Sequence, residues 1–207
     1  MTIAQSTLLT ERLQVEPVDP KWAAAMLAFQ LKNRDHFTQW DPSPSQLFYS
    51  EPYWSARFKL RMRDWQEGRG AAYILFLKDQ PEQIIGSISL SNLVRGVLQA
   101  ATLGYAIDSD HQGHGLMREA LEAVLAFAFE VLQLHRIQAN YQPHNQRSAG
   151  LLARLGFSIE GQAKQYLYLN GAWRDHEALF IERDVFTVFQ GVDDAGVGRR
   201  AANAKFF

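Results

Sequence analysis

The clearest pattern of hydrophobic and polar positions lies just past the middle of the chain, where apolar residues recur every three or four positions. They are Met117, Ala120, Leu121, Val124, Ala128 and Val131. This spacing predicts an α-helix with one buried face. Apolar and small residues from Gln99 to Ile107 predict a strand before it. Gly113 and Gly115 lie between the two, so we expect a strand, a glycine turn and a helix that packs on a sheet.

Before this unit the pattern switches between strand and helix spacing. The predicted elements are a strand at Arg12–Pro17, a helix capped by Asp19, a second helix between Ser50 and Gly68, and a hairpin of strands Ala72–Leu77 and Ile84–Leu90. Between Asn33 and Ser50 the period is lost, and aromatic residues and prolines accumulate. This part of the chain is therefore predicted to be a loop.

After the long helix the pattern predicts a strand, a helix and a hairpin. The strand spans Arg136–Tyr141, the short helix ends at Gly156, and Asn170-Gly171 is a strong signal for a hairpin turn. The order strand, helix, strand favours a parallel pair. We expect an α/β (α+β) domain over residues 1–189. Residues 190–207 lack any period and predict a disordered tail.

Composition narrows the classes of protein. The chain has 207 residues, of which 47% are hydrophobic and 21% charged, as expected for one domain with a substantial core. The net charge of −1 argues against direct nucleic-acid binding. The absence of cysteine excludes disulfides and an acyl-cysteine intermediate. Because no secretion signal or membrane-spanning run is present, we expect a cytoplasmic protein without membrane contact.

The glycine turn has two interpretations. The first N–H groups of a helix lack intrahelical acceptors, and with the helix dipole they can bind a phosphate that glycines leave uncovered. The alternative is a tight turn without a ligand, because a Gly-x-Gly motif alone has little specificity. His111 and His114 are three residues apart, but the set of ligands is incomplete, so no metal site is expected.

Gln112-Gly113-His114-Gly115 resembles the pyrophosphate loop of the GNAT acetyltransferases. Other stretches resemble the branch that acetylates alanine of ribosomal proteins, the RimJ type, in which Met117 is also familiar. They are the Ile-Ile-Gly ending at Gly86, Asn92–Gly96, His135–Ile137, Pro143–Asn145, Leu151–Phe157 and Trp173–His176. The resemblance implies a GNAT fold with a central mixed, mostly antiparallel, twisted sheet of about seven strands flanked by helices.

The resemblance also implies acetyl-CoA as cosubstrate, without a metal. In GNAT proteins two central strands splay apart, and the pantetheine arm pairs with one of them, here at Tyr105–Ile107. The implied cofactor-binding residues are Tyr105, Ala106, Ile107, Gln112, Gly113, His114, Gly115, Leu116, Met117 and Asn145. Asn145 could equally be a simple helix N-cap, and both roles are compatible.

Ser148 is the candidate catalytic residue. It shares a helix face with Leu151, Leu152 and Leu155, so its hydroxyl is expected to point inward and to need a partner. One interpretation is a bond to a main-chain carbonyl one turn earlier. The other follows from the resemblance: Leu152 occupies the position of the usual tyrosine acid, so Ser148 would contact the leaving sulfur of coenzyme A in its place.

The predicted strands nearest the glycine turn contain no carboxylate. Deprotonating a lysine with a pKa near 10.4 costs roughly 4.6 kcal/mol at neutral pH, but an α-amine with a pKa of about 7.7 to 8.0 costs only about 1 to 1.4 kcal/mol. A site without an obvious strong base therefore suits an N-terminal amine. Asp175, His176 and Glu177 remain possible proton acceptors, although charged residues on a terminal strand are more often simply exposed.

The aromatic residues of the 33–50 loop either plug an edge of the core or, with Asp41, line an acceptor groove. As substrate-binding residues we predict Phe37, Trp40, Tyr53 and Tyr166. The resemblance implies direct acetyl transfer to the α-amine of a protein, an alanine of a small-subunit ribosomal protein. The alternatives are an acetyltransferase for a small-molecule amine and a non-catalytic ribosome assembly factor. A monomer or homodimer is expected.

Overall fold

A computed structural model describes residues 5–191, with side chains up to residue 187. The strands are β1 Leu8–Leu9, β2 Leu13–Pro17, β3 Ala71–Leu77, β4 Gln80–Val94, β5 Ala100–Ile107, β6 Arg136–Tyr141, β7 Ser158–Leu169 and β8 Ala172–Glu182. The α-helices are α1 Ala23–Lys32, α2 Arg34–Phe37, α3 Glu51–Gln66, α4 Leu116–Ala126, α5 Gln146–Arg154 and α6 Arg183–Gly191. Of the predicted tail, residues 190 and 191 belong to α6, and the rest lies outside the described residues.

One sheet contains all eight strands, in the order β1-β2-β3-β4-β5-β6-β8-β7. Every neighbouring pair is antiparallel except β5 and β6. The mixed, mostly antiparallel architecture is as predicted, with one strand more than expected. That strand, β1, has two residues, which is too short to produce an alternating pattern.

The core lies on both faces of the sheet. On one face α4 packs its fully buried Leu121 and Val124, and on the other α1 and α3 pack residues such as Phe29 and Phe58. Strand β3 explains why both faces are needed, since six of its seven residues are buried. Tyr73 belongs to the cluster that contains Leu121 and Val124, and its neighbour Ile74 belongs to the cluster that contains Phe29 and Phe58, as the alternation of a strand requires.

The sheet splits at its centre. Strands β5 and β6 pair only from Ala100 opposite Arg136 to Leu103 opposite Ala139. Beyond these four pairs, β5 continues against β4 as far as Ile107, and β6 continues against β8 as far as Tyr141. The two strands therefore leave a wedge, as the GNAT resemblance implied, and residues 104–107 of β5 have an unpaired edge.

The long helix departs from the prediction at its end. Helix α4 changes into a π-helical turn at Phe127–Val131. Val131, predicted on the buried face, is 37% exposed, because the wider turn breaks the 3.6-residue period that placed it there. The other five predicted positions, through Ala128, are buried.

Two connections also differ from their predictions. The predicted 33–50 loop contains the short helix α2 and a 3₁₀ turn at Gln46–Tyr49. The turn between β3 and β4 is two residues long, so β4 begins at Gln80 and includes Glu82, an exposed carboxylate at the far end of the strand.

The β7–β8 hairpin is as predicted. Asn170 and Gly171 form its turn with φ angles of 51° and 83°, the left-handed pair that a tight two-residue hairpin requires. β7 is the outer strand of the sheet, and its register against β8 shifts twice, between Ile159 and Gly161 and between Ala163 and Leu167.

Candidate active site

The glycine turn between β5 and α4 presents backbone donors at a helix start. Gly113 and Gly115 have φ angles of 79° and 75°, which side chains other than glycine rarely adopt. The first intrahelical bond is from Glu119 N to Gly115 O, so the N–H groups of residues 116–118 lack an acceptor in the helix. Leu116 and Met117 bury their side chains in the core. They can therefore contact an anion only through the backbone.

Arg12 holds the turn from outside. Its Nη1 donates to His114 O at 2.9 Å, and its Nε donates to Glu119 Oε2 at 2.7 Å. Burial alone would raise the pKa of Glu119, but hydrogen bonds from Thr10 and Arg12 lower it. An ionised Glu119 therefore holds Arg12 in place, and Arg12 holds the glycine turn.

Lys32 and Asp108 connect the end of α1 to the start of the turn. Asp108 follows β5, is 0% exposed, and accepts a hydrogen bond from Lys32 Nζ at 2.7 Å. Lys32 also lies 2.8 Å from Asp110, and Asn33 Oδ1 accepts from Ser109 N at 2.9 Å. The position of α1 is therefore coupled to the position of the turn.

Gln112 joins three parts of the chain. Its Nε2 lies 2.6 Å from His36 Nε2, and its Oε1 accepts from Arg147 on α5. Burial and the charge of Arg147 lower the pKa of His36, which suits a neutral imidazole that accepts from the amide. Sequence reasoning missed His36 and Arg147, because nothing in the local sequence distinguishes either residue from an ordinary exposed polar residue. Arg147 is a cation beside the turn.

The predicted inward position of Ser148 is confirmed. Its hydroxyl lies 2.6 Å from Tyr105 Oη, across the wedge from α5 to β5, and no bond to a main-chain carbonyl is found for it in residues 5–191. Burial raises the pKa of Tyr105 to about 12, although the Ser148 bond opposes the shift. Asn145 is the N-cap of α5, since its side chain accepts from Ser148 N at 3.1 Å.

An open groove of about 460 Å³ lies beside the wedge. Its walls come from residues 37–49, α1, α3, β4 and β5, and β5 contributes residues 104–106. Strand β4 contributes Ser87 and Ser89, which alternate with the buried Ile88 and Leu90. Small polar residues at every second position of a buried strand were the available signal for this surface.

The four predicted substrate-binding residues lie in different places. Phe37 lines the groove and also packs on Phe29 of the core. Trp40 stacks on His144 with ring centroids 5.2 Å apart. Tyr53 packs against Phe48 and Trp54 beside the groove, and Tyr166 is 45% exposed against His176. Their substrate-binding roles stay predictions.

The three candidate proton acceptors on β8 do not line the groove in the part of the chain that is described. Asp175 is exposed and accepts from Gln165 N at 2.8 Å. His176 is buried, with its Nδ1 3.1 Å from Arg174 O. Glu177 lies opposite Tyr141 in the pairing of β8 with β6. Asp41, in contrast, lines the groove.

Comparison with known proteins identifies the family. The "Acetyltransferase (GNAT) domain" family matches residues 12–158, which is more than half of the chain. The chain belongs to the GNAT acetyltransferases. Within this GNAT family, the [ribosomal protein uS5]-alanine N-acetyltransferase of Escherichia coli is 41% identical over 169 residues, which are 82% of this chain and 87% of the relative.

Solved structures of GNAT proteins agree with this placement. The ribosomal-protein-S5-alanine acetyltransferase of Vibrio fischeri superposes with a TM-score of 0.82 at 35% identity, over 86% of this chain and 97% of that one. RimJ of Mycobacterium smegmatis, in complex with a CoA disulfide, has a TM-score of 0.79 at 29% identity, over 88% of this chain and 87% of that one. The resemblance to the RimJ type is confirmed.

Two features are absent from the described residues. No cluster of three or more His, Cys, Asp or Glu side chains within residues 5–191 could hold a metal ion. Among the described helices, none combines the length and the apolar character needed to span a membrane.

Proposed function

We propose that the protein transfers the acetyl group of acetyl-CoA directly to the N-terminal α-amine of a protein, with alanine as the first residue. Tyr105 carries this proposal because it belongs to both halves of the site. Its backbone lies on the open edge of β5, its hydroxyl meets Ser148, and its side of the strand lines the groove. A thioester placed along the wedge would reach an amine placed in the groove at this residue.

Acetyl-CoA fits the donor half of the site. The free N–H groups after Gly115 and the positive helix end suit the pyrophosphate, and Arg147 adds a cation. The pantetheine amides suit the unpaired edge of residues 104–107, since exposed strand edges accept an added strand. The CoA disulfide bound to the RimJ relative supports the same cosubstrate.

Ser148 is proposed to contact the sulfur as the thiolate leaves. The neutral amine attacks the thioester carbonyl and the carbon–sulfur bond breaks. The nitrogen releases one proton to water, and the sulfur takes up one proton. A hydroxyl at Ser148 can give that proton and recover one from Tyr105 through the 2.6 Å hydrogen bond. With its pKa raised to about 12, Tyr105 remains protonated at neutral pH and can serve as the source.

The acceptor follows from the relatives and from the groove. The relatives of Escherichia coli and Vibrio fischeri act on alanine of ribosomal protein uS5 or S5, so a small-subunit ribosomal protein is the proposed partner. Phe37 and Trp54 give the groove aromatic walls, which favours a small first side chain because a large one would collide with them. The cytoplasmic location and the monomeric or homodimeric state stay predictions.

The test uses one peptide with a free N-terminal alanine and an internal lysine, and a matched peptide whose N-terminus is blocked. Mass spectrometry after reaction with acetyl-CoA should place a single acetyl group on the α-nitrogen of the first peptide and none on the second. Acetylation of the lysine side chain, with the N-terminus left free, would show that the proposed substrate class is wrong. Turnover of a polyamine but of neither peptide would favour the small-molecule alternative.

A further inference from the structure

The turn of the β7–β8 hairpin clamps the segment that borders the groove. Asn170 Oδ1 accepts from Ser43 N at 2.8 Å and from Ser43 Oγ at 2.7 Å. Its Nδ2 donates to Thr38 O at 3.0 Å and to Asp41 O at 3.3 Å. One side chain thus fixes both ends and the centre of residues 38–43, although the two parts of the chain are more than a hundred residues apart. A loop held at three points has a defined position beside the groove.

Asp41 lies within this segment. It lines the groove together with Tyr105 and Ser87. In the described part of the chain, its carboxylate has neither an ion pair nor a hydrogen bond, while its main-chain carbonyl is held by Asn170. Ionisable groups of other elements face the same groove, namely Arg34 of α2, Tyr49, Arg57 of α3 and Tyr105 of β5.

We propose that Asp41 accepts the proton of the attacking α-amine, and that Asn170 is the positioning residue that holds it there. The inference rests on the proposed function and names the base for that reaction. Asp41 receives one proton from the α-ammonium, and the nitrogen then carries the free electron pair that forms the bond to the acetyl carbon. The first proton leaves to solvent from Asp41. The nitrogen releases a second proton to water as the carbon–sulfur bond breaks, and the thiolate is protonated separately by Ser148.

The surroundings of Asp41 suit this role. Burial raises the pKa of its carboxyl above the ordinary value, although the residue as a whole is exposed at the mouth of the groove. An acceptor peptide would cover that mouth and desolvate the carboxyl further. A carboxylate with a raised pKa is a better match to an α-amine, since proton transfer is most effective when the two values approach each other.

The other carboxylates near the site have partners that occupy them. Asp108 is fully buried and bonded to Lys32, and Asp110 is paired with the same lysine. Asp175 accepts from Gln165 N. From the sequence, Asp41 was predicted in a possible groove, but only residues on strands were considered as the proton acceptor. The raised pKa and the Asn170 clamp are what distinguish it.

The first experiment compares Asp41→Asn with Asp35→Asn, an exposed carboxylate of α2 that lies outside the groove. With the alanine peptide, Asp41→Asn should lower kcat by about 10²- to 10⁴-fold, the usual contribution of a positioned base. The KM for acetyl-CoA and the affinity for CoA should not change. Asp35→Asn should behave as wild type. An unchanged kcat in Asp41→Asn would overturn the proposal.

The pH profile separates a base from a merely structural residue. Without Asp41, bulk water must remove the proton, so log kcat should fall with unit slope below the amine pKa of about 7.7 to 8.0. The wild type should begin to fall at a lower pH, where Asp41 itself is protonated. Parallel profiles of the two proteins would overturn the role of Asp41 as base.

The clamp is tested by Asn170→Gly, which removes the side chain and keeps a residue suited to positive φ. Asn92→Gly is the matched control, because Asn92 has a φ of 50° and is exposed. Asn170→Gly should lower kcat and move the pH profile toward that of Asp41→Asn, and it should have little effect in the Asp41→Asn background. If the losses in kcat of Asn170→Gly and Asp41→Asn add fully in the double variant, the coupling between the two residues is refuted. If the wild-type protein acetylates none of the peptides, the proposed function itself is rejected.

Discussion

Replacing Lys32 by methionine tests whether the ion pair below the glycine turn stabilises the fold. Methionine keeps the length and apolar stem of the side chain and removes its charge. Asp108, 1% exposed at its side chain, would lose the 2.7 Å bond from Lys32 Nζ. It would retain the bond from Asp110 N at 2.9 Å. A buried carboxylate would then lack a compensating charge.

The magnitude follows from the burial of the two partners. Breaking a fully buried pair costs about 3 to 5 kcal/mol. Here the lysine side chain is 41% exposed, so water can reach part of the vacated space and the expected loss is smaller, about 2 to 3 kcal/mol. For a chain of this size, each kcal/mol corresponds to about 2 to 4 °C in Tm.

Urea unfolding followed by tryptophan fluorescence at pH 7 measures this loss, with Lys59→Met, an exposed lysine of α3, as a control expected within about 0.5 kcal/mol of wild type. The hydrogen bonds that Lys32 donates to Asp108 and Asp110 raise its pKa, so its contribution is complete at neutral pH. A Lys32→Met protein as stable as the control would refute the argument.

The pH dependence gives a second check with a defined sign. Burial raises the pKa of Asp108, but hydrogen bonds from Lys32 and Asp110 N outweigh it, so the net pKa is lowered. A carboxyl with a lowered pKa stabilises the fold above its unfolded pKa of about 3.9, and this stability is lost as the pH falls through the folded value. The gap between wild type and Lys32→Met should therefore be wide at neutral pH and shrink as the pH falls below about 4.

Three further predictions concern the cosubstrate side of the site. Gly115→Glu should abolish CoA binding in calorimetry, because it adds bulk and negative charge where the phosphates would lie. The control Gly96→Glu, also at a positive φ of 72°, should bind CoA normally. If the two variants bind CoA with equal affinity, the glycine turn is not part of the site. Ser148→Ala should lower kcat with little change in the KM for acetyl-CoA, and a change confined to KM would mean that Ser148 only binds. Arg147→Gln should weaken CoA binding several-fold, with a smaller effect at high salt because screening weakens exposed charges; a salt-independent affinity would argue against a phosphate contact.

Local patterns predicted most of the fold. The apolar face of α4 and the Asn170-Gly171 turn are visible in the sequence because each depends on residues within a few positions of one another. Strand β1 escaped prediction because two residues carry no period. The exposed Val131 escaped it because the spacing of apolar residues gives no signal for the π-helical turn that begins at Phe127.

The site was predictable only in part, for a related reason. The glycine turn and Ser148 follow from helix geometry and from a short motif. The bond between Ser148 and Tyr105 joins residues 43 positions apart, and that between Asn170 and Ser43 joins residues 127 apart. Such contacts depend on how strands and helices are arranged in space, and one sequence contains no direct signal for them.

The two interruptions in β7 affect how copies of this protein meet one another. An outer strand of twelve residues with unpaired main-chain groups is a template on which another chain can add, which leads to aggregation. Here the register shifts twice, and Gln165 has a φ of 50°, so no long, straight row of donors and acceptors is presented. The charged Lys164 stands beside the second shift. The protein can therefore leave a long edge in water without offering other chains a continuous surface for strand addition.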